Sequence, residues 1–90
     1  MDIHLIKREG HIHPFDERKV YASCYAACLS SHISNKSAEK IADKVTKEIK
    51  IWIKNKKQIS SNTLFKQIGK TMKEYDKNAA FMYLTHRDVS

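Results

Sequence analysis

Ninety residues are enough for one small domain, which we expect to span residues 1–90. The chain is 41% hydrophobic and 30% charged with only two Gly and one Pro, a composition that excludes disordered and fibrous classes and favours helices. It has neither a bilayer-length apolar run nor a signal-peptide pattern, so we expect a cytoplasmic protein. A net charge of +7 indicates anionic partners without choosing among phosphates, nucleic acid or acidic proteins.

The first fifteen residues predict a β-hairpin. Two extended stretches, 4–8 and 11–15, flank Glu9-Gly10, and an acidic residue followed by Gly between β-prone runs is typical of a tight hairpin turn. Pro14 lacks a backbone N–H, so the second strand is expected to end there. Asp16 comes next and predicts the N-cap of a first helix.

The rest of the chain predicts four helices, because apolar residues recur there at helical spacing. In chain order, the expected N-caps are Asp16, then Asn35 or Ser37, then a residue of Ser60-Ser61-Asn62, then Asp76 or Asn78. The predicted fold class is α+β, with a small N-terminal β-hairpin lid packed on a four-helix bundle.

The cysteines and histidines do not predict a metal site. Cys24 and Cys28 lie one helical turn apart without the second pair that a structural zinc site uses, so we expect buried free thiols. His11 and His13 share one face of a strand, which His4 could join from the neighbouring strand. We interpret these three as exposed strand histidines rather than ligands.

Catalytic constellations are missing from the sequence, whereas anion-binding side chains are concentrated near its start. No nucleophile elbow, paired carboxylates or Gly-rich phosphate loop is present, and we do not expect an enzyme. Lys7 and Arg8 end the first strand, and Lys19 lies in the first turn of a helix, where free N–H groups favour phosphate. If the hairpin folds back, these three cations converge. The alternative is solvated charges, with Arg8 paired to Glu17.

These residues resemble the ATP-cone domain, and the similarity covers essentially the whole chain. The opening motif is fairly specific, whereas the later matches count only together. The matching residues are Lys7-Arg8-Glu9-Gly10, Pro14-Phe15-Asp16, Lys19-Val20, Ile41-Ala42-Asp43-Lys44-Val45, Ile59-Ser60-Ser61 with Leu64, and Ala80, Tyr83 and Arg87. The chain departs from the family pattern at His13, where some members offer an acidic residue to the base.

The resemblance implies an allosteric domain that binds ATP or dATP, with or without Mg²⁺, between the hairpin lid and the helices. The implied partner is a ribonucleotide reductase-type or regulatory protein, or a second copy of the chain, and neither membrane nor nucleic acid. On the family pattern, the implied nucleotide-binding residues are Leu5 and Val20 beside the base, Asp16 at the base edge, Lys7, Arg8 and Lys19 at the phosphates, and Ser60 or Ser61 with Arg87 on the sugar–phosphate side.

A second interpretation, from another functional class, is a helical module that binds nucleic acid through its Lys-rich second helix and the run Lys54-Asn55-Lys56-Lys57. The nucleotide interpretation is preferred because that helix lacks the pattern of base-reading side chains found in recognition helices. Both a segment of a larger protein and a free-standing sensor are compatible with the sequence.

Overall fold

The computed structural model describes residues 4–85, which form a small sheet and four helices. In chain order the elements are β1 (Leu5–Arg8), β2 (His11–Pro14), α1 (Glu17–Ser30), α2 (Asn35–Ile53), β3 (Gln58–Ser60), α3 (Ser61–Lys73) and α4 (Lys77–Thr85). This architecture confirms the predicted α+β class.

The N-terminal hairpin has the predicted position and turn. β1 and β2 pair antiparallel, with Arg8 opposite His11, so the loop between them has only two residues. Glu9 and Gly10 have φ values of 47° and 84°. Positive φ at both central residues is what a type I′ turn requires, and this explains why Gly follows the acidic residue.

A third strand, which the sequence analysis did not predict, joins the hairpin to the helices. β3 pairs parallel with β1 on the side opposite β2, and Ile6 lies opposite Ile59. The N–H of Leu5 also donates to the carbonyl of Lys57 at 2.9 Å, and Nδ1 of His4 lies 2.5 Å from the carbonyl of Lys56. β1 is therefore the central strand of the sheet and is held on both edges.

Three helices begin at caps that the sequence predicted. Asp16, Ser60 and Asp76 accept hydrogen bonds from backbone N–H groups at the starts of α1, α3 and α4, at 2.9, 3.0 and 2.9 Å respectively. Each bond satisfies a donor that has no partner within its helix.

The cap of α2 differs from the prediction. Ser34 accepts a hydrogen bond from the N–H of Ser37 at 3.3 Å, and the helix already begins at Asn35. The predicted caps Asn35 and Ser37 were therefore wrong by one and three residues. Ser37 instead occupies the third helical position, where its own N–H needs an acceptor.

The core lies between the four helices. Cys24 and Cys28 are 0% exposed and free, which confirms the predicted buried thiols. Burial raises the pKa of Cys24 to about 12, so this thiol stays protonated at neutral pH. The buried hydrophobic residues are Val20, Cys24, Ala27, Cys28, Ala38, Ala42, Val45, Ile49, Ile53, Ile68, Met72, Ala79 and Ala80.

Helices α3 and α4 approach each other closely at Gly69. A Cβ atom at this position would lie 2.5 Å from Cδ2 of Leu84, so even Ala would force the leucine to move. The close approach explains a helical glycine that costs about 1 kcal/mol relative to Ala. It also holds α4, which carries Tyr83, against α3.

Candidate functional site

A cavity of about 220 Å³ lies between the hairpin and helices α1, α3 and α4. Each of these elements contributes side chains to it. The lining residues are Ile6, Arg8, His13, Pro14, Phe15, Asp16, Lys19, Val20, Ser23, Ser61, Leu64, Ile68 and Tyr83.

The floor of the cavity is apolar and belongs to the core. Val20 of α1 and Ile68 of α3 line it and are only 4% and 3% exposed. Leu64 and the ring of Tyr83, from α3 and α4, are half-buried and pack against the same core. The faces of a flat ring, such as a nucleobase, would be shielded from water by an apolar surface of this kind.

Cationic side chains lie at the edge of the same cavity. Arg8 comes from the end of β1, and Lys19 comes from the first turn of α1. The N-terminus of α1 is close by, and the positive end of its dipole favours anions, although the N–H groups of Arg18 and Lys19 already donate to Asp16. A strand and a helix therefore bring positive charge to one concave surface.

Asp16 and Ser61 add polar atoms to the cavity, but the Asp16 carboxylate and the hydroxyl of the neighbouring Ser60 already form hydrogen bonds within the protein. The Asp16 carboxylate caps α1 and accepts from the Arg18 guanidinium, whose hydrogen bond lowers the pKa of Asp16. The Ser60 hydroxyl accepts from Thr63 N–H at 3.0 Å and bonds the Thr63 hydroxyl at 2.8 Å. Ser61, the next residue, lines the cavity at the N-terminus of α3.

The predicted site residues divide into three groups. Those that line the cavity are Arg8, Asp16, Lys19, Val20 and Ser61, and those that lie off it are Leu5, Lys7 and Ser60. Arg87 lies outside the described residues. Successive side chains of a strand point to opposite faces, which explains why Arg8 lines the cavity and its neighbour Lys7 does not.

Several lining residues were not predicted as site residues. Ile6 could have been found from strand alternation with Arg8, and Ser23 from its i, i+4 spacing with Lys19, whose carbonyl accepts its hydroxyl bond at 2.8 Å. Leu64 and Tyr83 reach the cavity only through the packing of α3 and α4, for which the sequence gives no local signal.

The structure also shows the contacts of Glu17 and of the three histidines in the strand region. Glu17, the suggested partner of Arg8, forms an ion pair with Lys50 at 2.7 Å. The ring centroids of His11 and His13 are 6.3 Å apart, and His4 contacts the Lys56 carbonyl. Within residues 4–85 no three His, Cys, Asp or Glu side chains are grouped as metal ligands.

A family model described as the ATP cone domain matches residues 3–89. Neither the curated proteins nor the solved structures gave a match. Among the described helices, none combines the length and the apolar character that a membrane crossing needs. The family match spans nearly the entire chain, and the chain therefore belongs to the ATP-cone family, whose domains bind nucleotides and have regulatory rather than catalytic roles.

Proposed function

We propose that this protein is a sensor of ATP or dATP, that the nucleotide binds in the cavity beside the hairpin, and that binding controls the assembly or activity of a partner. The observation that carries the proposal is the combination of an apolar floor with cationic side chains at its edge. An adenine nucleotide has the same two-part chemistry, with a flat base at one end and an anionic phosphate chain at the other.

The chemistry of the cavity supports separate positions for the base and for the phosphates. The base lies on the floor near Val20 and Leu64, and the phosphates lie at the edge, against Arg8 and Lys19. A volume of about 220 Å³ is below the roughly 300–1,000 Å³ of pockets that enclose a whole drug-sized ligand. We therefore place the base inside the cavity and the phosphate chain at its mouth.

The remaining assignments come from the family pattern. Leu5 would border the base, Lys7 the phosphates, and Ser60 and Arg87 the sugar–phosphate side. A Mg²⁺ ion would enter with the triphosphate, because Mg²⁺ keeps several waters and binds chiefly through substrate phosphates. Asp16 would lie at the base edge while it still caps α1.

Regulation requires a second state that binds the nucleotide differently. A ligand shifts an equilibrium only by its differential affinity for two states. We infer that the second state is an assembly, either with a ribonucleotide reductase-type or other regulatory protein or with a second copy of this chain. Catalysis plays no part in this proposal, and the site of action would be the cytoplasm.

Isothermal titration with ATP, dATP, GTP and a short DNA duplex tests the proposed function. We expect both adenine nucleotides to bind more tightly than GTP, with an affinity that survives moderate salt, because base contacts add to the charge attraction. Duplex binding with a steep salt dependence, together with equal binding of all three nucleotides, would favour the nucleic-acid interpretation instead.

A further inference from the structure

Tyr83 is a polar side chain fixed in the wall of the cavity. It lies on α4, packs against the core, and stacks on Phe65 of α3 with ring centroids 5.0 Å apart and an interplanar angle of 25°. These contacts hold its ring in one place before any ligand binds. A preorganised group loses little conformational entropy when it makes a new contact.

The hydroxyl of Tyr83 has no hydrogen-bond partner among residues 4–85. By contrast, the hydroxyl of Tyr75, an exposed residue that follows α3, donates to the Glu48 carboxylate, and the buried Thr46 hydroxyl donates to the Ala42 carbonyl at 2.7 Å. Tyr83 lines the cavity, so a ligand bound there can supply an acceptor for this hydroxyl.

The surroundings of Tyr83 indicate which part of the nucleotide meets the hydroxyl. Burial raises the pKa of the Tyr83 hydroxyl, and the fully buried Cys24 of α1 raises this pKa further. Tyr83 packs against the core beside Val20 and Leu64, which form the apolar floor of the cavity, and its hydroxyl remains a neutral donor near pH 7. Because the phosphates are assigned to Arg8 and Lys19 at the edge, the nucleoside is the part that reaches it.

We propose that the Tyr83 hydroxyl donates a hydrogen bond to an acceptor of the nucleoside, a ring nitrogen or a sugar oxygen, and thereby helps to select the ligand. This inference rests on the proposed function, since it takes an adenine nucleotide as the occupant. It adds a neutral, directional contact to a site otherwise described by apolar area and charge. Apolar area and overall charge alone would not distinguish one nucleoside from another, so this contact would act together with Asp16 at the base edge.

The test is the variant Tyr83→Phe, titrated with ATP and with tripolyphosphate. We expect a roughly three- to tenfold loss of ATP affinity, the range for one neutral hydrogen bond, and no change with tripolyphosphate. The melting temperature of the free protein should stay the same or rise, because the hydroxyl makes no bond that folding would lose. A residue with a purely structural role would give the opposite pattern, with lower stability and unchanged affinity.

Tyr75→Phe is the matched control. Its hydroxyl donates to Glu48, and Tyr75 does not line the cavity. This variant should melt at a lower temperature and bind ATP as the wild type does. Adenosine-induced change in the NMR signal of the Tyr83 ring carbon that bears the hydroxyl gives a second measurement that needs no variant.

Tyr83→Phe protein that binds ATP with wild-type affinity would overturn this inference alone, as would an equal loss with tripolyphosphate. Wild-type protein that binds no adenine nucleotide would overturn the proposed function, and this inference with it.

Discussion

Two of the regions that carry basic side chains, the exposed face of α2 and the cavity beside the hairpin, differ in their surroundings. Lys47 and Lys50 lie on the exposed face of α2, and each has a carboxylate oxygen within 3.0 Å. Arg8 and Lys19 come from β1 and α1 and border a cavity whose floor is part of the core. The two regions contribute alike to the net charge of +7 but present different surfaces to a ligand.

This difference favours locating the proposed site by shape and apolar area rather than by the number of charges. A surface ion pair is worth about 0–1 kcal/mol and is weakened by salt. The residues that line the described cavity include none of the α2 lysines. At the hairpin, the same kind of charge is combined with an apolar surface that can bind a base.

We expect the largest effect in thiol labelling of the core beneath the cavity. This core must be rigid if the apolar floor exists before the ligand binds. Cys24 is 0% exposed and its pKa is raised to about 12. Against an ordinary thiol pKa of about 8.5, this shift alone lowers the thiolate fraction by roughly 10³. Labelling of Cys24 by a thiol reagent at pH 8 should therefore be at least about a thousandfold slower in the native protein than in denaturant. Rapid labelling of the native protein would mean that the floor opens readily.

The next effect separates the two basic regions directly. Arg8→Ala and Lys19→Ala should each weaken ATP binding by about 1.5–3 kcal/mol, which is the range for hydrogen bonds to charged groups. Lys47→Ala is the matched control and should leave the affinity unchanged, since Lys47 pairs with Asp43 on the exposed face of α2. Isothermal titration at one salt concentration measures all three. Equal losses at the three positions would indicate nonspecific attraction of anions.

A smaller effect concerns the strands of the sheet. β1 is held by both β2 and β3, whereas β2 is an outer strand whose side chains are all exposed. Saturating ATP should slow amide hydrogen exchange in β2 and the Glu9–Gly10 turn more than in β1, and it should raise the melting temperature. Sedimentation of the same samples reports any change of assembly. Exchange in β2 that is unaffected by ATP would contradict a lid that closes on the ligand.

The smallest effect is on acid stability. Hydrogen bonds from the Arg18 side chain, and then from its backbone N–H, lower the pKa of Asp16 in the folded protein. The unfolded chain therefore binds this proton more readily, so the stabilisation is present above the unfolded pKa of about 3.9 and is lost as the pH falls through the folded value. Asp16→Asn, which keeps a good N-cap, should flatten the fall in melting temperature below pH 4. If Asp16→Asn left the fall in melting temperature below pH 4 unchanged, the charge of this carboxylate would contribute nothing to stability in acid.

Local signals in the sequence were enough to predict most of the fold. The Glu9–Gly10 turn and the caps Asp16 and Asp76 depend on residues within a few positions of each other, and the structure has all three. β3 was missed because three residues are too few for their alternation of exposed and half-buried side chains to identify a strand. It is a strand only because β1 lies beside it, and that pairing joins residues more than fifty positions apart.

From the residues alone the candidate site was predictable only at its charged edge. Three other lining residues came from the family resemblance, namely Asp16, Val20 and Ser61. Arg8 and Lys19 were found because cations after a strand and at a helix N-terminus are recognisable in sequence. Leu64 and Tyr83 line the cavity through the packing of α3 against α4, where Gly69 allows the close approach. Periodicity indicates that such residues face a core, but not that the core surface ends in a cavity.

The central claim is that an adenine nucleotide binds in the cavity beside the hairpin and not on the Lys-rich face of α2. An NMR titration of the ¹⁵N-labelled protein with ATP tests it most directly, because each amide reports its own surroundings. We expect the largest changes of amide chemical shift at Arg8, Lys19, Ser61 and Tyr83. The amides around Lys47, on the exposed face of α2, should be unchanged. Shifts concentrated along α2, or no shifts at the cavity under saturating ATP, would contradict it.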